Sequence, residues 1–278
     1  MMRVDSHQHF WQLARGDYGW LNAADHPKIA RNYLPRDLAP LLVAGKIDRT
    51  ILVQAAPTEA ETAFLLELAS SAPFVAGVVG WIDFAAVGAT DKVARLAANP
   101  KVVGVRPMIQ DIPDSEWMLR PELASVFAAL QKNALRFDAL VTPRHLPTVE
   151  IFLERYEGLA VVIDHGAKPD IVGAGLDIWR NSMSRIARTS RASCKLSGLA
   201  TEAGPDWNAE VLKPYVDVLL ETFGPARLMW GSDWPVLNEV GDYAGWLKAA
   251  ETLTGHLSST DCEQIFGGTA ATFYGIAA

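Results

Sequence analysis

Two histidines stand one residue apart in the opening run Arg3-Val4-Asp5-Ser6-His7-Gln8-His9-Phe10. On an extended strand, side chains at i and i+2 leave the same face, so His7 and His9 converge on one small volume. His165 ends the apolar run Leu159-Ala160-Val161-Val162-Ile163-Asp164, and Asp233 ends the run Arg227-Leu228-Met229-Trp230-Gly231-Ser232. Three imidazoles and one carboxylate suit a single divalent cation, with zinc the best match to this donor set. Such a cation polarises a carbonyl or acidifies a bound water. The same groups also work without metal: the imidazoles hydrogen-bond the oxyanion developing on a carbonyl, and Asp233 takes the proton of water as base. These residues leave both routes open.

For the four to meet, the chain must bring distant strand ends to one place. Eight strand-like runs alternate with helical ones: Arg3–Phe10, Arg49–Gln54, Phe74–Trp81, Lys101–Arg106, Leu135–Val141, Leu159–His165, Ala192–Leu196 and Arg227–Asp233. Their non-alternating apolar character is that of parallel strands covered on both faces. Eight such units in 278 residues predict one α/β domain over residues 1–278, a (β/α)8 TIM barrel whose site lies at the carboxyl ends of the strands. An open doubly wound sheet fits less well, because no glycine-rich phosphate loop follows the first strand. Thr58 with Glu61, and Thr260 with Glu263, read as capping boxes opening helices over Thr58–Ser70 and Thr260–Tyr274. The irregular stretch Trp11–Pro35 is a candidate cover for the site.

Other strand ends carry Gln54, Trp81, Arg106 and Ser197. A buried arginine needs an acid or a ligand, and Arg106 is read as a substrate contact. Gln54 and Ser197 either reach ligand hydroxyls or complete backbone hydrogen bonding. Lys168 stands just past His165, and Arg144-His145 just past the fifth strand. His26 lies in the long first loop and can close over the pocket; His256 reads as surface. Cys194 reads as core, and Cys262 has no triad around it.

The net charge of -7 and the lack of like-charge blocks argue against a nucleic-acid partner. No apolar run is long enough to span a membrane and no leader-like segment opens the chain, so no membrane partner is expected. Two cysteines without CxxC spacing point to a reducing, cytoplasmic setting. Nine tryptophans are many for this length, and suit a pocket walled by flat rings as well as core packing.

The motifs Val4-Asp5-Ser6-His7-Gln8-His9-Phe10-Trp11, Asp17-Tyr18-Gly19-Trp20-Leu21, Val103-Gly104-Val105-Arg106, Val162-Ile163-Asp164-His165-Gly166-Ala167-Lys168-Pro169 and Trp230-Gly231-Ser232-Asp233-Trp234-Pro235, in that order, resemble the amidohydrolase superfamily. More closely they resemble its fuconolactonase and rhamnonolactonase branch, the amidohydrolase 2 type of TIM-barrel metal-dependent hydrolase. The resemblance implies a site built on His7, His9, His165 and Asp233, with the aspartate activating water. It implies hydrolysis of a sugar-acid lactone such as L-fucono-1,5-lactone or an L-rhamnono-lactone, with at most one divalent metal, zinc first, weakly held or dispensable. Arg106 stands where a carboxylated lysine would be needed, and the fifth-strand histidine is displaced to His145, which argues against a two-metal centre.

For a sugar-like ring, Trp11, Trp20, Trp81 and Trp234 are the stacking candidates, and Arg106, Gln54, Lys168 and His145 the polar ones. The expected partner is a small-molecule lactone, and the expected assembly a monomer or homodimer. A carboxylated lactone such as a pyrone or muconolactone would need cations at the mouth, from Arg106 with Lys168, Arg144 or Lys28. A metal-dependent decarboxylase, a cyclic-amide hydrolase and a non-catalytic sugar-binding barrel are the further alternatives.

Overall fold

Short β-branched runs form the strands, as expected where both faces of a sheet are covered. A computed structural model of the chain describes residues 2–173 and 175–276. The strands are β1 (Val4–Gln8), β2 (Arg49–Val53), β3 (Val75–Gly80), β4 (Val102–Val105), β5 (Arg136–Ala139), β6 (Val161–Ile163), β7 (Ser193–Leu196) and β8 (Leu228–Trp230). They are parallel and pair in sequence order. A parallel bridge joins Gln8, at the end of β1, to Trp234, just past β8, and brings the last strand back to the first. The protein is thus a (β/α)8 TIM barrel.

The helices between and after the strands are α1 (Pro35–Gly45), α2 (Glu59–Ser71), α3 (Ala89–Ala97), α4 (Ala124–Lys132), α5 (Leu146–Arg155), α6 (Leu176–Thr189), α7 (Leu199–Ala203), α8 (Ala209–Phe223), α9 (Tyr243–Thr254), α10 (Ser259–Glu263) and α11 (Thr269–Tyr274). No described helix is long and apolar enough to cross a membrane.

Two capping expectations need correction. Thr58 Oγ1 does accept the Glu61 N–H, but the Glu61 carboxylate turns away and accepts the N–H groups of Ala55 and Ala56 instead. At the C-terminal end Ser258, not Thr260, is the cap, its Oγ accepting the Asp261 N–H at 3.1 Å. The single helix expected there is broken by a wide turn at Gln264–Gly268, where Gly267 packs directly on the Met2 carbonyl and a side chain would collide.

The barrel interior is layered. Val4, Ile51, Val53, Val79, Val103, Val162 and Met229 fill one layer, packed together with Ala270 and Tyr274 of α11. A second layer, in contact with the histidines, is charged: Asp138, Asp164 and Lys195 are all fully buried. The helices pack outside the strands over a larger apolar shell that includes Phe127, Phe137 and Phe152.

Candidate active site

The junction of β1 and β8 fixes the centre. Asp233 donates its N–H to the His7 carbonyl at 2.8 Å, and His9 donates to the Trp234 carbonyl at 2.8 Å. Buried Asp5 braces this junction: Oδ1 accepts the N–H groups of Ser232 (2.8 Å) and His7 (3.2 Å), and Oδ2 accepts the Tyr243 hydroxyl. Burial outweighs those hydrogen bonds and pushes the Asp5 carboxyl up to about 6. Ser6 Oγ donates to the Trp230 carbonyl at 2.7 Å. His165 and Asp233 both sit in the left-handed region, at φ 54° and 57°. Non-glycine residues there carry strain, on the order of 1–3 kcal/mol each, held by the surrounding structure.

These turns bring four side chains together. His7 Nε2 and His9 Nε2 are 3.2 Å apart, and Asp233 Oδ1 lies 3.3 Å from His9 Nε2, 3.7 Å from His7 Nε2 and 3.9 Å from His165 Nε2. His9 Nδ1 donates to the Val53 carbonyl at 2.8 Å, which leaves the Nε2 lone pair facing the centre. His165 Nδ1 pairs with Ser197 Oγ at 2.8 Å. Burial keeps all three rings neutral at ordinary pH: it lowers His7 well below 6.5 together with Lys195, lowers His9, and brings His165 to about 4. Burial disfavours the Asp233 carboxylate, yet the neighbouring His165, His9 and His7 outweigh it and hold the group below its usual 3.8.

Ligand atoms of His7, His9 and Asp233 all lie within 4.8 Å of one another. Two imidazole nitrogens and an ionised carboxylate oxygen are a fitting donor set for zinc, and the Val53 carbonyl behind His9 is the kind of outer partner such ligands have. The cluster therefore supports a divalent-metal cofactor. A second group, His7, Asp164 and His165, is equally close. Here a cation is already present: Lys195 Nζ lies 2.9 Å from Asp164 Oδ1, 2.5 Å from Asp138 Oδ2 and 3.1 Å from His7 Nδ1.

Sequence reasoning missed this floor. Tyr274 donates its hydroxyl to Asp138 Oδ2 at 2.7 Å, and Arg106 Nη1 stands 3.3 Å from Asp164 Oδ2. Burial raises the Asp138 carboxyl against the pull of Lys195. For Asp164, burial is overcome by Lys195 and His7, and the group stays ionised. The missed signal was a charged residue inside each of two short strands, Arg136-Phe137-Asp138-Ala139 and Ser193-Cys194-Lys195-Leu196, where an unpaired charge would be expensive.

Above the four residues opens a cleft of about 330 Å³. His9, His165, Asp233 and Arg106 line it, Trp20 and His26 reach it from the first loop, and Lys168 stands at its side. The Trp20 indole N–H donates to the Ala55 carbonyl at 2.8 Å, and His26 packs edge-on against that ring. Ala55, Met108, Gln110, Asp111, Leu140, Val236 and, on the short helix α7, Thr201 complete the lining; they lie beyond the strand ends, where no periodic signal marks them.

Several expected contacts face elsewhere. Trp11 and Trp234 are buried, each packed edge-on with Tyr33, and hold the first loop down. Trp81 lines a separate surface hollow with Thr62 and Lys92. Gln54 donates to the Arg106 carbonyl at 2.6 Å, so it completes backbone bonding. His145 is buried, its Nδ1 accepting the Thr142 N–H. The cations are engaged too: Arg106 with Asp164 and the Gln54 carbonyl, Lys168 with Glu202 at 3.4 Å, Lys28 with the Glu239 carbonyl, and Arg144 with the carbonyls of Gln110, Ile112 and Pro113. His256 is exposed and Cys194 fully buried.

The amidohydrolase family model matches residues 4–276, nearly the whole described chain. The chain belongs to the amidohydrolase family. Among its relatives, an L-fucono-1,5-lactonase of Burkholderia ambifaria is 44% identical over 99% of this chain and 96% of its own length. An L-fucono-1,5-lactonase of Burkholderia multivorans is 37% identical over the same shares. The crystal structure of a Burkholderia multivorans amidohydrolase with bound zinc superposes with a TM-score of 0.93 at 38% identity, covering all of both chains. Family, fold and the metal-competent cluster together make this amidohydrolase a hydrolytic enzyme.

Proposed function

We propose that this amidohydrolase opens a neutral sugar-acid lactone, of the L-fucono-1,5-lactone kind, by attack of water on the ring carbonyl. The observation that carries the reading is an ionised carboxylate, Asp233, set among three neutral imidazoles at the floor of a cleft whose cations are already paired. The names of the two Burkholderia relatives support the choice of lactone.

Asp233 takes a proton from water, and the same carboxyl delivers it to the ring oxygen as the acyl–oxygen bond breaks. The imidazoles of His7, His9 and His165 surround the place where the carbonyl oxygen gains charge, and those that carry a proton on the inward nitrogen stabilise it. Arg106, buried behind them, adds a fixed positive charge. A divalent cation held by His7, His9 and Asp233 supplies additional polarisation of the carbonyl when bound. Trp20 and His26 give the ring a flat wall and a polar edge, and Met108, Leu140 and Val236 form apolar surface suited to a deoxygenated carbon.

A dicarboxylated lactone fits less well, because Lys168, Arg144 and Lys28 are committed to Glu202 and to backbone carbonyls while Asp111 and Asp233 add negative charge to the cleft. The likeness at 19% identity to a probable 2-pyrone-4,6-dicarboxylic acid hydrolase of Acinetobacter baumannii shows a shared fold only.

The test is proton release from a panel of 1,4- and 1,5-lactones of fuconic, rhamnonic, galactonic and arabinonic acids, with one dicarboxylated lactone. Turnover of a neutral lactone, reduced at least about a hundredfold in Asp233→Asn, is expected, the size that loss of a general base produces. No turnover of any neutral lactone, or an Asp233→Asn enzyme at full rate, would falsify the reading.

A further inference from the structure

One edge of the cleft takes no part in the chemistry at the floor. Beyond β4, Pro107 ends the extended run and a tight turn follows over Ile109–Asp111. Ile109 is fully buried and pins the turn to the core. The backbone is tied on both sides of it: the Ile109 N–H donates to the Pro107 carbonyl at 2.9 Å, and the Gln110 N–H to the Leu140 carbonyl at 3.0 Å. Arg144, from the turn after β5, then donates to the carbonyls of Gln110 (3.2 Å), Ile112 (2.7 Å) and Pro113 (3.1 Å). The planar fork of a guanidinium, with five donors in fixed directions, can hold three carbonyls of one loop at once.

Gln110 is half-buried and Asp111 exposed, and both line the cleft. Neither side chain hydrogen-bonds or ion-pairs with another described residue. Their neighbours in the lining are engaged: Lys168 by Glu202, the Trp20 indole by the Ala55 carbonyl, and His26 by Glu239. An amide offers two donors and an acceptor, whereas a carboxylate only accepts. A ligand that satisfies both must bring a donor to Asp111 and a group of either kind to Gln110. Two adjacent hydroxyls do so without carrying charge. A carboxylate ligand has no proton to donate to Asp111 and is repelled by it. Bare methylenes would displace water from both side chains and leave them unpaired.

We infer that Gln110 and Asp111 are specificity-determining residues that take two neighbouring ring hydroxyls of the substrate, and that Arg144 is the positioning residue that holds them at the cleft. The loop is tied down before substrate arrives, so binding does not have to order it. Selectivity for a hydroxylated ring comes from this edge, while bond breaking stays with Asp233 and the histidines at the floor. The inference rests on the proposed lactone hydrolysis and narrows its substrates to rings that carry a diol.

Steady-state proton release tests it, by comparing the best lactone of the panel with the unsubstituted ring of the same size: δ-valerolactone for a 1,5-lactone, γ-butyrolactone for a 1,4-lactone. The wild-type enzyme is expected to favour the hydroxylated ring at least tenfold in kcat/KM, and a smaller preference overturns the inference without any variant. Gln110→Ala, Asp111→Ala and Arg144→Met are each expected to cut that preference at least fivefold, mainly by raising KM for the hydroxylated lactone. An unchanged preference in either Gln110→Ala or Asp111→Ala, or an equal loss on both rings, overturns the inference. An unchanged preference in Arg144→Met alone overturns the role given to Arg144. A wild-type enzyme that turns over no lactone overturns the proposed function and this inference with it. Turnover by wild type with the preference intact in the variants overturns the inference alone, so the two failures are told apart.

Discussion

Gly198 decides where the His165 ring sits. It has φ 68°, and a β-carbon built on it would lie 2.7 Å from His165 Cγ and Nδ1. Alanine there combines left-handed strain with a direct push on the ring that Ser197 Oγ holds. Gly198→Ala is expected to destabilise by about 1–3 kcal/mol and to lower kcat more than it raises KM, as read by thermal unfolding and steady-state kinetics. The residues at this scale were legible in the sequence for one reason. His7, His9, His165 and Asp233 are polar residues at the ends of apolar runs, and the barrel rule sends strand ends to one mouth. Direction was not legible. Trp11, Trp81 and Trp234 have the composition of a stacking wall, yet only Trp20 among the four tryptophans considered turns to the cleft. An aromatic ring serves a core and a pocket equally well, and only the packing of the first loop assigns each ring its side.

At the scale of elements, the first loop and the start of α2 build one wall of the cleft together. Glu61, in the first turn of α2, accepts the N–H groups of Ala55 and Ala56, and the Ala55 carbonyl in turn holds the Trp20 indole. The sequence spacing pointed to a capping box because Thr58 and Glu61 are three apart; the buried N–H groups leaving β2 compete more strongly for the carboxylate. Burial raises the Glu61 carboxyl to about 7. The folded protein therefore keeps a proton that the unfolded chain, near 4.5, has lost. Stability is expected to fall as pH rises from about 4.5 to about 7, by up to roughly 3 kcal/mol from this group. Urea unfolding across that range should show the slope, and Glu61→Gln should flatten it. A slope unchanged by the substitution would assign it to other groups.

Across the whole molecule, the eightfold alternation was readable because each strand is a short β-branched run between helical segments. The charged floor was not, since Asp138 of β5, Asp164 just past β6 and Lys195 of β7 find each other only when the barrel closes. The paired state of the cations is likewise a property of the assembled mouth: Lys168 reads as free in the chain and is matched by Glu202 in space. That pairing has a consequence for the end of the catalytic cycle. Hydrolysis turns an uncharged ring into an open-chain anion. Asp111 and the regenerated Asp233 carboxylate line the cleft and present negative charge to it. The product is repelled from the place where it formed, and binding it again costs Coulombic work that dissolved salt reduces. The inhibition constant of the sugar acid should lie well above the KM of its lactone at low ionic strength and move toward it as salt is added, giving a reaction that runs forward in the presence of its own accumulated product.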